Sequence, residues 1–365
     1  MALNRVVRVV IVAGARPNFM KAAPILRALA ARPRFQPILV HTGQHYDPAM
    51  SDAFFADLEM PTPDVFLGVG SGSHAEQTGR VMVEFERYLT ATGADIVAVI
   101  GDVNSTLGCA VVAAKHGVRV AHVEAGLRSY DRSMPEEVNR IVADSLSTIL
   151  LTTSADADDN LRREGHPPEE IYLVGNTMID SLERYRARAA DPSPLRVLGV
   201  EPGSYLLVTL HRPANVDDPD RLARTLRALA AVDLPVVFPV HPRTRSVAEA
   251  AGLGPLMERL HVMPPAGYLA FLQLQAHARL VLTDSGGVQE ETTVLGVRCL
   301  TFRDNTERPI TVSHGTNRLI GTDPDSIVPE VRAALSAGPP ERRVPPLWDG
   351  HAAERIADVL DRVGS

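Results

Sequence analysis

Short β-branched runs alternate with helix-period stretches along nearly the whole chain, and no other feature restricts its fold as much. VVRVVIV (6–12), PILV (37–40), DIVAVI (95–100), VRVAHV (118–123) and IYLV (171–174) stay apolar through both side-chain parities. That is the mark of parallel strands covered on both faces. Helical spacing fills the gaps over 21–31, 76–89, 105–115, 135–146 and 156–164, so the chain winds strand to helix to strand. The pattern breaks at ARAADPSPLRVLGVEPG (187–203), where three prolines and the lack of any period read as a linker. It resumes with YLLVTL (205–210), PVVFPV (235–240), RLVLT (279–283) and RCLTF (298–302), with helices near 219–231, 267–278, 287–295 and 325–336. At 365 residues the chain is long for one core. The expected class is α/β, with two Rossmann-like doubly wound domains over 1–187 and 203–345. A last helix over 350–363 is free to pack back on the first domain. Tandem sheets of this kind bind ligand beyond their strand C-termini, in the interdomain cleft, so the residues after each strand carry the functional argument.

Composition narrows the partners. Lys+Arg 37 against Asp+Glu 44 gives a net charge of −7, with 22% charged residues, which argues against a nucleic-acid-coating chain, so an anionic ligand must be held locally. The apolar stretch from Val6 to Val12 is broken by Arg8 and too short for a secretion signal core or a membrane span. A cytoplasmic protein without a membrane partner is expected. Cys109 and Cys299 are too few for a zinc cluster or a disulfide framework. Neither GxGxxG nor GxxxxGK[ST] occurs. No metal and no cofactor are expected.

Several strand ends hold polar groups. Gly14-Ala15-Arg16-Pro17-Asn18-Phe19-Met20-Lys21 follows the first strand; the glycine lets backbone approach a ligand, and Arg16 and Lys21 add charge beside a helix N-terminus. A plain turn explains it equally well. Asp102 ends DIVAVI, either as a helix cap or as a group aimed at ligand. Glu124 ends the next strand, where a carboxylate is costly to bury unless paired, for instance with Arg128. Ser133-Met134-Pro135-Glu136 matches a capping box, and Glu136 and Glu137 point about 100° apart on a helix, so at most one faces the ligand squarely. Carboxylates ending successive elements of one sheet repel one another and become groups that exchange protons near neutrality.

In the second half, His211 and His241 each follow a strand with an arginine within two positions, a cation set suited to a diphosphate. Thr283-Asp284-Ser285-Gly286-Gly287 ends a strand and opens a helix with two glycines, an anion cradle with a hydroxyl beside it. One turn later, Glu290 or Glu291 is placed to accept from ribose hydroxyls. The loop GVGSGSH (68–74) reads as a flexible segment able to close over ligand.

Taken together, GARPNFMKAAPI, IGDVNSTL, HVEAGLRS, MPEEVNR, GNTMID, TLHRPANV, PVHPRT, LTDSGGVQEE and FRDNTERP resemble, in order and over almost the whole chain, the non-hydrolysing UDP-N-acetylglucosamine 2-epimerases. The resemblance implies two Rossmann-like domains in a GT-B arrangement, UDP in the cleft and a homodimer. It implies interconversion of UDP-GlcNAc and UDP-ManNAc by loss of the C2 proton and of UDP to 2-acetamidoglucal, followed by re-addition. By motif it makes Asp102, Glu124, Glu136 and His211 catalytic. It places Arg16, Lys21, Arg140, His241, Ser285, Gly286, Gly287, Glu291 and Arg308 on substrate or UDP. Many members read G-T-R-P-E where this chain has Gly14 to Asn18, and H-R-R-E where it has His211 to Ala214, and the stretch from Arg128 to Pro135 is shorter. These departures keep in view a 2-epimerase of a UDP-2,3-diacetamido-uronate; a GT-B glycosyltransferase and a hydrolysing relative stand beside it as competing readings. The departures also leave activation by an allosteric UDP-GlcNAc open.

Overall fold

The computed structural model describes residues 5–44, 55, 57–338, 340–341 and 343–364, with the side chains of Arg16 and Pro194 outside the described set. The chain divides into two compact units, Met1–Glu183 with Pro346–Ser365, and Arg184–Pro345. The first carries a parallel sheet of β1 (Val7–Ala13), β2 (Phe35–His41), β3 (Val65–Phe66), β4 (Ile96–Ile100), β5 (Arg119–Ala125), β6 (Ile149–Thr152) and β7 (Ile171–Leu173). Their spatial order is β3-β2-β1-β4-β5-β6-β7. The second carries β8 (Leu206–Thr209), β9 (Val236–Pro239), β10 (His261–Met263), β11 (Leu280–Thr283), β12 (Cys299–Thr301) and β13 (Asn317–Leu319), in the order β10-β9-β8-β11-β12-β13. Every pairing is parallel. Each sheet reverses direction once, between β1 and β4 and between β8 and β11. At such a switch point adjacent loops diverge and leave a crevice.

Alternate side chains of one strand enter opposite layers. In the second unit Leu206 and Val208 pack with Leu222, Leu226 and Leu229 of the helix Pro219–Ala230, while Leu207, Val237 and Val281 pack with Leu195, Leu274 and Val288. This two-sided covering is why the strands read as unbroken apolar runs. In the first unit Val10, Val12, Val97 and Val99 meet Val81 and Phe85 of the helix His74–Thr92 and Cys109 and Ala113 of the helix Asn104–Lys115.

The structure departs from the sequence reading in places. Strands β3, β6, β10 and β13 were not expected; each has two to four residues, too few for a period to show. The segment 187–203 is more ordered than a linker. It holds the end of the helix Thr177–Ala189 and a helix Ser193–Leu198, whose Leu195 enters the second unit's core. Pro192 caps that helix and Pro194 lies in its first turn, where proline is tolerated, while Pro202 lies in the turn before β8. The helix Ala352–Val363 belongs to the first unit, and its Ala352 and Ala353 N–H groups donate to the Asp180 carboxylate at 3.0 and 2.6 Å. Among the described residues no helix is long and apolar enough to cross a membrane.

Candidate active site

In the first unit the loops after β1, β4 and β5 and the helix Pro135–Leu146 carry the polar groups. Asn18 fills the first loop: its Oδ1 accepts from the Gly14 and Ala15 N–H groups at 3.2 and 3.0 Å, and its Nδ2 donates to the Ile100 carbonyl at 3.0 Å. Those N–H groups are therefore occupied. Gly14 answers an internal need too, since a Cβ there would collide with the Ser105 hydroxyl and lie 3.1 Å from that of Thr42. The backbone adopts helical geometry at Arg16, but its side chain, assigned to substrate above, lies outside the described residues.

Lys21 and Glu124 are both buried and form an ion pair. Glu124 has φ of 69°, and the β5–β6 register shifts between Val123 and Ala125. A bulge of this kind re-aims a side chain at a strand end, and the left-handed backbone of a non-glycine residue costs about 1–3 kcal/mol. Burial of the carboxylate is thus matched by Lys21 and not by Arg128. Arg128 instead binds Glu164 through two hydrogen bonds at 2.8 and 2.6 Å and Asp144 at 2.7 Å.

Asp102 is not a helix cap. The cap of the helix Asn104–Lys115 is Val103, and the Asp102 carboxylate, one quarter exposed, pairs with Arg140. Asn139 donates to the Asp102 carbonyl at 2.8 Å. Arg140 lies one helical turn beyond Glu136, so both project from one face of their helix. The two glutamates of that helix differ sharply. Glu137 is buried and accepts from Ser129 N (2.9 Å), Ser129 Oγ (3.0 Å) and Tyr130 N (2.9 Å), which makes it a structural clamp on the preceding loop. Glu136 is partly exposed and has no hydrogen-bond or ion-pair partner among the described residues. The capping box at Ser133 does not form, because the cap is Met134 and the Ser133 hydroxyl donates to Asp131 at 2.6 Å. A true capping box lies at Ser73 and Glu76, at the end of the 68–74 loop.

In the second unit the switch-point loops after β8 and β11 meet. Asp284 is buried and accepts from His211 N (3.0 Å), Arg212 N (2.9 Å) and Asn215 Nδ2 (3.1 Å), and it pairs with His211 Nδ1 at 2.9 Å. Burial alone would raise its carboxyl, but His211 and these donors hold it below the usual carboxylate range. The His211 side chain is 42% exposed, so Asp284 orients an imidazole whose Nε2 is available, as in acid–base pairs. His241 caps the helix Pro242–Ala250, its Nδ1 accepting from Arg243 N at 3.2 Å, and its ring lies 5.8 Å from that of His211. The arginines expected beside these histidines are engaged elsewhere: Arg243 binds Asp217 twice at 2.6 Å, and Arg212 reaches Glu307 at 3.3 Å.

The cradle is the turn Ser285-Gly286-Gly287, which opens the helix Gly286–Leu295. The Ser285 hydroxyl makes no cap bond, and the first-turn N–H groups of Gly286, Gly287 and Val288 have no acceptor among the described residues. A helix start with unfilled N–H groups and a hydroxyl favours an anion. A Cβ at Gly286 would press into the guanidinium of Arg308, 2.9 Å from its Cζ, so the arginine would have to shift. Arg308 is buried against Glu290 at 2.7 Å, with Glu307 at 3.5 Å. Its charge therefore lies beneath the cradle. Glu291 is buried and accepts from Gln275 Nε2 at 2.7 Å; burial pushes its carboxyl up to about 7. Among the described residues no group of three or more His, Cys, Asp or Glu side chains is placed to hold a metal ion.

Three contributors were not singled out above. Asn18 and Asn139 carry no charge to advertise them, and Asp284 was read only as part of a turn. A strand-end aspartate two residues before a glycine was the available signal.

Residues 27–361 match the family described as UDP-N-acetylglucosamine 2-epimerase. The UDP-N-acetylglucosamine 2-epimerase of Methanocaldococcus jannaschii is 39% identical over 96% of this chain and 98% of that one. The UDP-2,3-diacetamido-2,3-dideoxy-D-glucuronate 2-epimerase of Pseudomonas aeruginosa is 41% identical over 98% of this chain and 100% of that one. The crystal structure of the M. jannaschii UDP-GlcNAc 2-epimerase in complex with UDP-GlcNAc and UDP superposes with a TM-score of 0.90 at 38% identity, covering 97% and 99% of the two chains.

Proposed function

The chain belongs to the UDP-N-acetylglucosamine 2-epimerase family, and from that premise we propose that it interconverts UDP-GlcNAc and UDP-ManNAc without net hydrolysis. The observation that carries the reading is the pairing of chemistries at the two switch points. The first unit supplies carboxylates just after β4, at the end of β5 and on one helix face, and the second supplies an anion cradle over a buried arginine. A carboxylate of the first unit removes the C2 proton while the C1–O bond to UDP breaks, leaving 2-acetamidoglucal. UDP then re-adds at C1 as a proton returns to C2 from the opposite face. Two proton-transfer groups are needed, one for each face of C2.

Asp102, Glu124 and Glu136 take these acid–base roles. Arg140 sets the Asp102 carboxylate and Lys21 sets Glu124, so both act first on these carboxylates and through them on the sugar. His211, oriented by Asp284, faces the diphosphate as acid or hydrogen-bond donor. Ser285, Gly286 and Gly287 hold phosphate oxygens, Arg308 lends charge from below, and Glu291 accepts from ribose. His241 and Arg16 complete the proposed contacts. A homodimer in the cytoplasm belongs to the same proposal and follows from the family resemblance.

The experiment is proton NMR of the purified protein with UDP-GlcNAc in D₂O. Deuterium at C2 together with UDP-ManNAc is the expected result. A diacetamido-uronate substrate is the second reading, favoured by the P. aeruginosa relative's 41% identity. Exchange with that sugar alone would select it, and exchange with neither would overturn the epimerase reading.

A further inference from the structure

A buried network behind β4 and β5 touches none of the groups proposed to meet the sugar, yet it ends on the backbone that carries one of them. His122 of β5 is fully buried. Its Nε2 lies 2.8 Å from the Gly101 carbonyl and its Nδ1 2.6 Å from Asp144 Oδ1. A carbonyl only accepts, so Nε2 carries a proton and donates it. Asp144 Oδ2 in turn accepts from Gly126 N at 3.1 Å and pairs with Arg128 at 2.7 Å. Burial by itself would raise the Asp144 carboxyl, but His122 and Arg128 beside it hold it below the usual range. The network is therefore anchored on a carboxylate with three partner atoms.

Its geometry converges on Asp102. Glu136, Arg140 and Asp144 are spaced by four residues, along one stripe of the helix Pro135–Leu146. Arg140 grips the Asp102 carboxylate, and Asp144 reaches the preceding residue, Gly101, through His122. Gly101 has φ of 66°, and a Cβ there would stand 3.3 Å from Glu124 Oε2 and 3.7 Å from Lys21 Nζ. This peptide is thus held in a left-handed turn with the Glu124–Lys21 pair against it. The same carboxylate ties Gly126, two residues past Glu124. One helix face fixes the aim of two acid–base carboxylates from behind.

We infer that His122 is a positioning residue for the epimerisation, bridging Asp144 to the Gly101 carbonyl so that Asp102 meets the sugar in productive geometry. The inference rests on the epimerase reading above. A misplacement of about 1 Å at a reacting group costs on the order of 10²-fold in rate.

The test uses the full-length protein and two side-chain amides. Gln places its NH₂ near the position of Nε2 and retains the bond to Gly101, whereas Asn mimics Nδ1 and loses it. Wild-type turnover in the D₂O assay is measured first, so that failure of the epimerase reading is recognised separately. His122→Asn is expected to lower kcat about 10²-fold with KM and UDP affinity within about threefold, and His122→Gln to recover most of it. In an Asp102→Asn background the further loss from His122→Asn should shrink to less than about threefold, because residues acting through one another are not additive. Equal losses in both backgrounds, or Gln no better than Asn with both chains folded by circular dichroism, would overturn the positioning role. If His122→Asn does not fold, His122→Ala, which loses both bonds, takes its place in the wild-type and Asp102→Asn backgrounds, and equal losses in the two overturn the role.

Discussion

Replacing Glu291 by Gln should change how stability depends on pH, by an amount that follows from its site. The carboxyl is buried in the helix Gly286–Leu295, bonded to Gln275 and beside Glu290, and it ionises near 7 where an exposed glutamate ionises near 4.5. Between those values the folded chain keeps a proton that the unfolded chain has lost, so stability falls as pH rises. Below about 4.5 both states are protonated and no stability is lost, and above about 7 the loss levels off. Each tenfold difference in proton affinity is worth about 1.4 kcal/mol, giving a full loss of about 3 kcal/mol, most of which develops between pH 5 and 8. Glutamine imitates the protonated acid and cannot ionise. The stability of Glu291→Gln minus that of wild type should therefore grow by about 2–3 kcal/mol across this range, whatever constant offset the amide introduces. Guanidinium denaturation followed by far-UV circular dichroism at pH 5, 6.5 and 8 measures it, with separate transitions fitted if the two units unfold apart. A difference that stays constant within about 0.5 kcal/mol would refute the argument that burial holds this carboxyl neutral.

Other consequences are simpler to read. Asp102→Asn and Glu136→Gln should each lower turnover by about 10²–10⁴-fold while UDP still binds by calorimetry; activity close to wild type in both would remove them from the proton transfers. Arg308→Ala should weaken UDP binding by more than about tenfold, and it should also lower the melting temperature, because Glu290 is left buried without this partner. Unchanged UDP affinity would move the diphosphate away from the Ser285-Gly286-Gly287 turn.

Legibility varied with how local the cause was. The helix over 135–146 announced itself through its period and its proline start, and it is present with those bounds. The turn at Ser285 was visible because two glycines beside a hydroxyl have few other uses at a strand end. Short edge strands such as β3 and β13 were invisible, since two or three residues take their conformation from the neighbouring strand. In the first loop Gly14 allowed both an approach to ligand and a plain turn; its close neighbour is Ser105, and the Gly14 and Ala15 amides are taken by Asn18, contacts that spacing in the sequence could not name.

What the sequence determined by itself is the strand–helix alternation, hence two parallel sheets, and the set of strand ends where charged residues accumulate. Those depend on side-chain periodicity and backbone preference over a few residues, and they are written locally. Which charge meets which was decided only in three dimensions. Lys21 pairs with Glu124 across 103 residues and Arg140 with Asp102 across 38, while Arg128, four positions from Glu124, turns to Asp144 and Glu164. Ion pairing falls steeply with distance through space and ignores separation along the chain. The strand order that brings β1, β4 and β5 side by side thus selected the partners that no spacing in the sequence could name.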